Sequence, residues 1–148
     1  MLANISFLNR VSATMEWIIT LNEEGQYAEV VTKGIADKYG SLAMVKAISA
    51  ALSSTKIKRV LIDHTHISEV SGGIVDIYYR PDELKEIGVP HNIMVAEIVK
   101  SEHRGFFDFL ETVCVNRGYS FSVFDDKRAA VEWLLEAQSL LDNSKEKA

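Results

Sequence analysis

At 148 residues, with apolar residues at 47% and charged residues at 25%, the chain has the length and composition of one globular domain, which excludes wholesale disorder. A formal charge of −5 speaks against a general nucleic-acid role, since neutralising phosphates takes clustered Lys and Arg. No apolar run reaches the roughly 18 residues of a membrane span, and the single cysteine, Cys114, excludes an internal disulfide framework and makes a reducing compartment, the cytoplasm, the expected location.

Residues 1–14 read as a lead-in segment. Arg10 lies in its middle and the apolar centre of a signal peptide is missing. Met15 to Leu21 is strand-like, Asn22-Glu23-Glu24-Gly25 is turn chemistry, and Gln26 to Lys33 alternates as a second strand. The two predict an antiparallel hairpin. Asp37 or Ser41 can cap a helix whose apolar stripe is Leu42, Val45, Ile48 and Leu52. Ile57 to Asp63 is a short, β-branched, mostly buried strand, followed by a polar loop through Ser71-Gly72-Gly73. Helical residues Ile74, Ile77 and Tyr78 come next; Pro81 kinks or divides the element, and Gly88 and Pro90 end it. Adjacent helix positions diverge by about 100°, so one of Tyr78 and Tyr79 is expected to face the core and the other solvent.

Asn92 to Val99 predicts another core strand. Phe106, Leu110, Val113 and Cys114 lie on a helix that Gly118 terminates, and Ser120 to Phe124 is the last strand. Asp126 is positioned to cap a final helix with the stripe Ala130, Trp133, Leu134, Ala137 and Leu141, and residues 142–148 read as a solvated tail. The order predicts one α/β domain over residues 15–141, with an N-terminal antiparallel hairpin followed by alternating strands and helices in a mixed sheet.

Several segments in this order carry a family likeness. They are Trp17 in the first strand, Lys33-Gly34 closing the second, the run from Val60 to Ile67 (VLIDHTHI), the run from Arg117 to Asp126 (RGYSFSVFDD), and Ala129 to Leu134 (AAVEWL). On them the chain resembles the SpoIIAA-like members of the STAS superfamily from about Trp17 to Leu135, with a more distant similarity of fold to CRAL-TRIO lipid-binding domains. The resemblance implies a SpoIIAA-like/STAS-like fold and a regulatory role. In anti-sigma-factor antagonists of that superfamily a strand ending in Asp leads to an Asp-Ser-Ser-Gly motif, whose serine is phosphorylated by a partner kinase. Here the strand ends at Asp63 and the matching turn is Val70-Ser71-Gly72-Gly73. Glycines stand where the serines belong, leaving Ser68 and Ser71 as substitutes.

In an open parallel sheet, ligands favour the crevice beyond the carboxyl ends of the strands. Loops 63–73, 99–104 and 124–127 are expected to gather there, bringing Asp63, His64, Thr65, His66, Ser71, Lys100, Ser101, His103, Arg104 and Asp125 to one rim, where helix N-termini favour an anion. If the strand runs on, His64 and His66 point the same way and could begin a metal set; the plainer alternative is a polar loop. No third His or Cys has ligand spacing to them, so neither metal nor cofactor is expected. Lys100, His103 and Arg104 at a helix start oppose the dipole preference. They meet either an anionic group or nothing, with Ser101 as cap and Glu102 answering the dipole. Cys114 on an apolar helix face reads as an inert small hydrophobe. No G-x-S-x-G elbow, phosphate loop or dinucleotide glycine fingerprint occurs.

The expected function is therefore a non-catalytic regulatory or interaction module, binding a partner protein or a small amphipathic or anionic ligand at the rim. The alternative is a small-molecule or lipid carrier, which an apolar cavity between sheet and helices would favour. The third option is a hydrolytic or metal-dependent enzyme built on His64, His66 and His103. Self-association is compatible with the sequence, though no residue specifies it.

Overall fold

The computed structural model describes residues 15–136. The lead-in 1–14, the tail 142–148, and Ala137 and Leu141 of the last helical stripe lie outside the described residues. Strand β1 (Met15–Asn22) and β2 (Tyr27–Ala36) form the hairpin, and α1 (Lys38–Leu52), β3 (Arg59–Val70), α2 (Ile74–Tyr78), α3 (Arg80–Ile87), β4 (Met94–Ile98), α4 (Arg104–Asn116) and β5 (Ser120–Phe124) follow. A fifth helix, α5, occupies residues 127–136 as far as the description extends.

The sheet runs in sequence order, β1-β2-β3-β4-β5. The first pair is antiparallel and the other three are parallel. Each parallel crossover steps one strand in the same direction, so the single hand of such crossovers sends α1, α2–α3 and α4 to one face of the sheet. Helix α5 follows the last strand and covers the other face, where Ala130 and Leu134 pack on Leu61, Met94, Ala96 and Ile98.

Local chemistry sets the element ends. The Asn22 carboxamide accepts from Gly25 N–H at 2.7 Å within the hairpin turn, and Arg59 donates to the Gln26 and Gly25 carbonyls, tying that turn to β3. Asp37 caps α1 through Gly40 N–H at 2.7 Å, and Asp126 accepts from Ala129 N–H at 2.9 Å at the start of α5. Pro81 sits in the first turn of α3, where a missing N–H costs nothing. Gly88 ends α3 at φ 97°, a conformation other residues rarely adopt.

Four expectations need correction. Strand β3 does not stop at Asp63; it runs to Val70, paired with β2 as far as Ala36. Two register shifts put an extra residue into β3, one opposite Thr32 and one beyond Gly34. The first breaks the two-residue alternation: His64 and Ile67 are buried while His66 is exposed. His64 and His66 therefore do not share a face. Tyr78 and Tyr79 are both exposed, packed edge-to-face on each other, because α2 is only five residues long and buries Ile77 alone. Trp133 is half-buried against Phe124, whereas Ala130 and Leu134 of α5 are fully buried.

Candidate functional site

The helix-covered face of the sheet carries two separate apolar blocks. One joins α1 to β1, β2 and β3 through Met15, Trp17, Val30, Ile48 and Ile62. The other joins α2 and α4 to β5 through Ile77, Phe107, Leu110, Cys114 and Val123. Between them lies a cavity of about 270 Å3. Val60, Ile62 and His64 of β3 and Val95 and Glu97 of β4 line it from the sheet; Met44, Ile48 and Leu52, then Leu84, Phe107 and Leu110, line it from the helices.

Most of that lining is apolar, yet a polar row crosses the sheet beside it. Thr32 ends the buried row Ala28, Val30, Thr32 on β2. Its hydroxyl donates to the Asp63 carbonyl at 3.2 Å and lies 2.7 Å from His64 Nδ1. His64 Nε2 lies 3.2 Å from Glu97 Oε2, and the imidazole stacks on Phe107 with ring centres 4.9 Å apart. Glu97 is 4% exposed, and its second oxygen, Oε1, has no hydrogen-bond partner among the described residues. A buried carboxyl oxygen without a partner is costly. Arg80 Nε and the Tyr119 hydroxyl, on residues that line the same cavity, also lack a hydrogen-bond partner among the described residues, and with this oxygen they ask for an occupant.

The hydroxyl–imidazole–carboxyl connection has the order of a nucleophilic triad. Thr32, however, is 0% exposed and does not line the cavity, so no substrate carbon can reach its hydroxyl. Cys114, one turn from Leu110 on α4, is equally unsuited to attack. Burial, and next the Glu97 carboxylate, push its thiol up to about 12, with Arg80 pulling the other way. At neutral pH it stays a thiol. Among the described residues no group of three or more His, Cys, Asp or Glu is placed to hold a metal ion, and no helix is long and apolar enough to cross a membrane.

The residues expected at one rim are divided among several places. His64 and Ser71 line the cavity. Asp63 lies on the opposite face of the sheet, in register with Leu61, and accepts from the Thr65 hydroxyl and N–H. His66 is exposed on β3 opposite Lys33. Lys100 and His103 each lie within 4.0 Å of Glu102; Ser101 is exposed in the short 3-10 turn that precedes α4. Arg104 is already engaged: its guanidinium contacts Asp108 at 2.8 Å, Asp125 at 2.6 Å and the Val123 carbonyl at 3.3 Å. Those carboxylates raise its pKa above the ordinary value. Lys127 pairs with Glu29 at 2.9 Å. The loop ends of β4 and β5 thus converge through Arg104 and Asp125, with their charges answered internally.

Glu97, Thr32 and Phe107 were not singled out from the sequence. A signal for Glu97 did exist. A lone acid inside the run Met-Val-Ala-Glu-Ile of a central parallel strand, a position buried on both faces, is a buried charge in need of a partner.

Compared with protein-family profiles and with curated proteins, the sequence has no match. Solved structures do match. A DUF3478-family protein with a SpoIIAA-like fold from Shewanella loihica PV-4 is 21% identical, with a TM-score of 0.50 over 90% of this chain and 96% of that one. An anti-sigma factor antagonist from Mycobacterium paratuberculosis is 10% identical, with a TM-score of 0.54 over 81% of this chain and 93% of that one. The mixed five-stranded sheet, an antiparallel hairpin followed by parallel strands, matches these neighbours in architecture, and the chain has a SpoIIAA-like fold.

Proposed function

We propose that the protein is a non-catalytic module that takes a small amphipathic molecule into the cavity between α1 and α2–α4. The observation that carries this is the pairing of an apolar cavity of about 270 Å3 with a buried carboxyl oxygen lacking a partner. Concave, mostly apolar sites with a few convergent polar groups are where small ligands bind. The His64–Glu97 pair orients the polar end, and the apolar body lies against Ile48, Ile62 and Leu110. Lys100, Ser101, His103 and Arg104 lie away from this site and are proposed only as a secondary, outward-facing surface.

The test is thermal unfolding of the full chain against a panel of medium-chain amphiphiles. A ligand that binds the native state raises the midpoint by mass action. Ile48→Phe, which narrows the cavity at its apolar end, is expected to fold and to reduce the shift. The proposal is overturned if no amphiphile raises the midpoint, or if Ile48→Phe keeps the full shift.

A partner protein is the second candidate, favoured by a different observation. Ile74, Val75, Tyr78 and Tyr79 form an exposed apolar strip on α2, each more than half exposed, just after the Ser71-Gly72-Gly73 turn. A structural neighbour, 10% identical, is an anti-sigma factor antagonist. On this view Val75→Asp abolishes complex formation and leaves cavity binding unchanged.

A further inference from the structure

We infer that the cavity selects ligands whose polar end is a hydrogen-bond donor, a primary alcohol or an amine, and disfavours a carboxylate end; this rests on the cavity-binding reading above. The donor lies on Glu97 Oε1, and the apolar body runs between α1 and α4.

The selection follows from where the protons sit. With the Thr32 hydroxyl donating to the Asp63 carbonyl, the short contact to His64 Nδ1 is assigned as Nδ1–H donating to Thr32. The contact between His64 Nε2 and Glu97 Oε2 then holds one proton. Whether that proton is drawn on the imidazole or on the carboxyl, Oε1 has none and is an acceptor. The match for a buried acceptor is a donor. A carboxylate end would instead bring an anionic, acceptor-only group against an acceptor oxygen in a water-poor setting, where an unpaired charge is costly.

Three cations, Arg80, Lys38 and Lys58, line the same cavity. Arg80 Nε lies 3.5 Å from Glu83 Oε1 and Lys38 meets the same carboxylate at 3.4 Å, so both of these charges face Glu83, while Lys58 is exposed, where water screens its charge. Tyr119 and Cys114 also line the cavity, and both are uncharged at neutral pH, their pKa values raised chiefly by burial. Size narrows the class further. A cavity of about 150 Å3 holds benzene; one of about 270 Å3 has room on that scale for a ligand of about ten heavy atoms.

The experiment compares 1-octanol, octylammonium and octanoate, three probes of matched length, by calorimetric titration and thermal unfolding of the full chain. The expected result is that the alcohol or the amine binds at least tenfold more tightly than octanoate, with the tighter of the two showing whether Oε1 meets a neutral or a cationic donor. In Glu97→Leu that advantage is expected to vanish. If that variant does not fold, the comparison on the unmodified protein decides alone. Octanoate binding as well as or better than both donors overturns the inference, assigns the polar end to the cations of the lining, and leaves the cavity-binding reading standing. Binding of none of the three overturns both.

Discussion

The imidazole of His64 and the carboxyl of Glu97 meet at 3.2 Å inside the core, 33 residues apart in the chain and on neighbouring parallel strands. His64 gains a second partner in Thr32 on the strand beyond and a stacking surface in Phe107 on the helix above. One polar contact thus joins β2, β3 and β4 at the seam where the two apolar blocks part.

Removing one member of this pair leaves the other buried without its partner. His64→Leu is expected to destabilise by about 3 kcal/mol, the range for breaking a buried ion pair. The double variant His64→Leu/Glu97→Met is expected to lose less than the sum of the single losses. Urea denaturation of the four proteins in the cycle measures the coupling, and simple additivity would show that the two groups do not interact.

Cys114 makes stability fall at high pH. In the unfolded chain its thiol loses its proton near the ordinary value of 9.0, whereas in the native state it holds the proton up to about 12. The native state therefore binds the extra proton between those values. Its contribution is complete below about pH 9 and is lost as pH rises toward 12. Unfolding midpoints at pH 8, 10 and 11 are expected to fall less steeply in Cys114→Ala than in the unmodified chain; parallel curves would remove the thiol from the account.

Arg104 and Lys100 are predicted to differ although both precede or begin α4. Arg104→Ala breaks contacts to two carboxylates and one carbonyl, and is expected to cost about 1 kcal/mol, limited by exposure and screening. Lys100→Ala, with one contact at 4.0 Å, is expected to stay within about 0.5 kcal/mol. Denaturation at low and high salt checks both, and only the Arg104 loss should shrink as salt rises.

On α5 the order of severity runs against residue size. Leu134→Ala is expected to cost about 3 kcal/mol because Leu134 is 0% exposed among Leu61, Met94 and Ala96. Trp133→Ala removes a larger side chain, but a half-buried one packed on Phe124, and is expected to cost about 2 kcal/mol or less. Thermal unfolding of the two variants gives the ranking directly.

Much of the fold was legible because its signals are local. Asn22 and Gly25 marked the hairpin, Asp37 (or Ser41, which the structure does not use as the cap) and Asp126 marked helix starts, and Gly88 and Gly118 marked helix ends; each acts through atoms within a few residues. Periodicity in Leu42, Val45, Ile48 and Leu52, and the apolar runs of β4 and β5, then sufficed for an α/β order. Where the signal was too short or interrupted, the sequence misled. Strand β3 seemed to end at Asp63 because inserted residues break its alternation, and five-residue α2 is too short for periodicity to say which tyrosine is buried.

From the sequence alone came an α/β order with a hairpin and parallel crossovers, consequences of short-range capping, turn and periodicity rules, and, by resemblance of particular segments, a SpoIIAA-like fold. Tertiary structure alone decided that His64 faces inward while Asp63 faces the other side, that Arg104 is answered by Asp125, and that Glu97 is buried with one oxygen unpartnered among the described residues. Such facts depend on strand register and helix seating, which join residues tens of positions apart, and no window of sequence contains both partners.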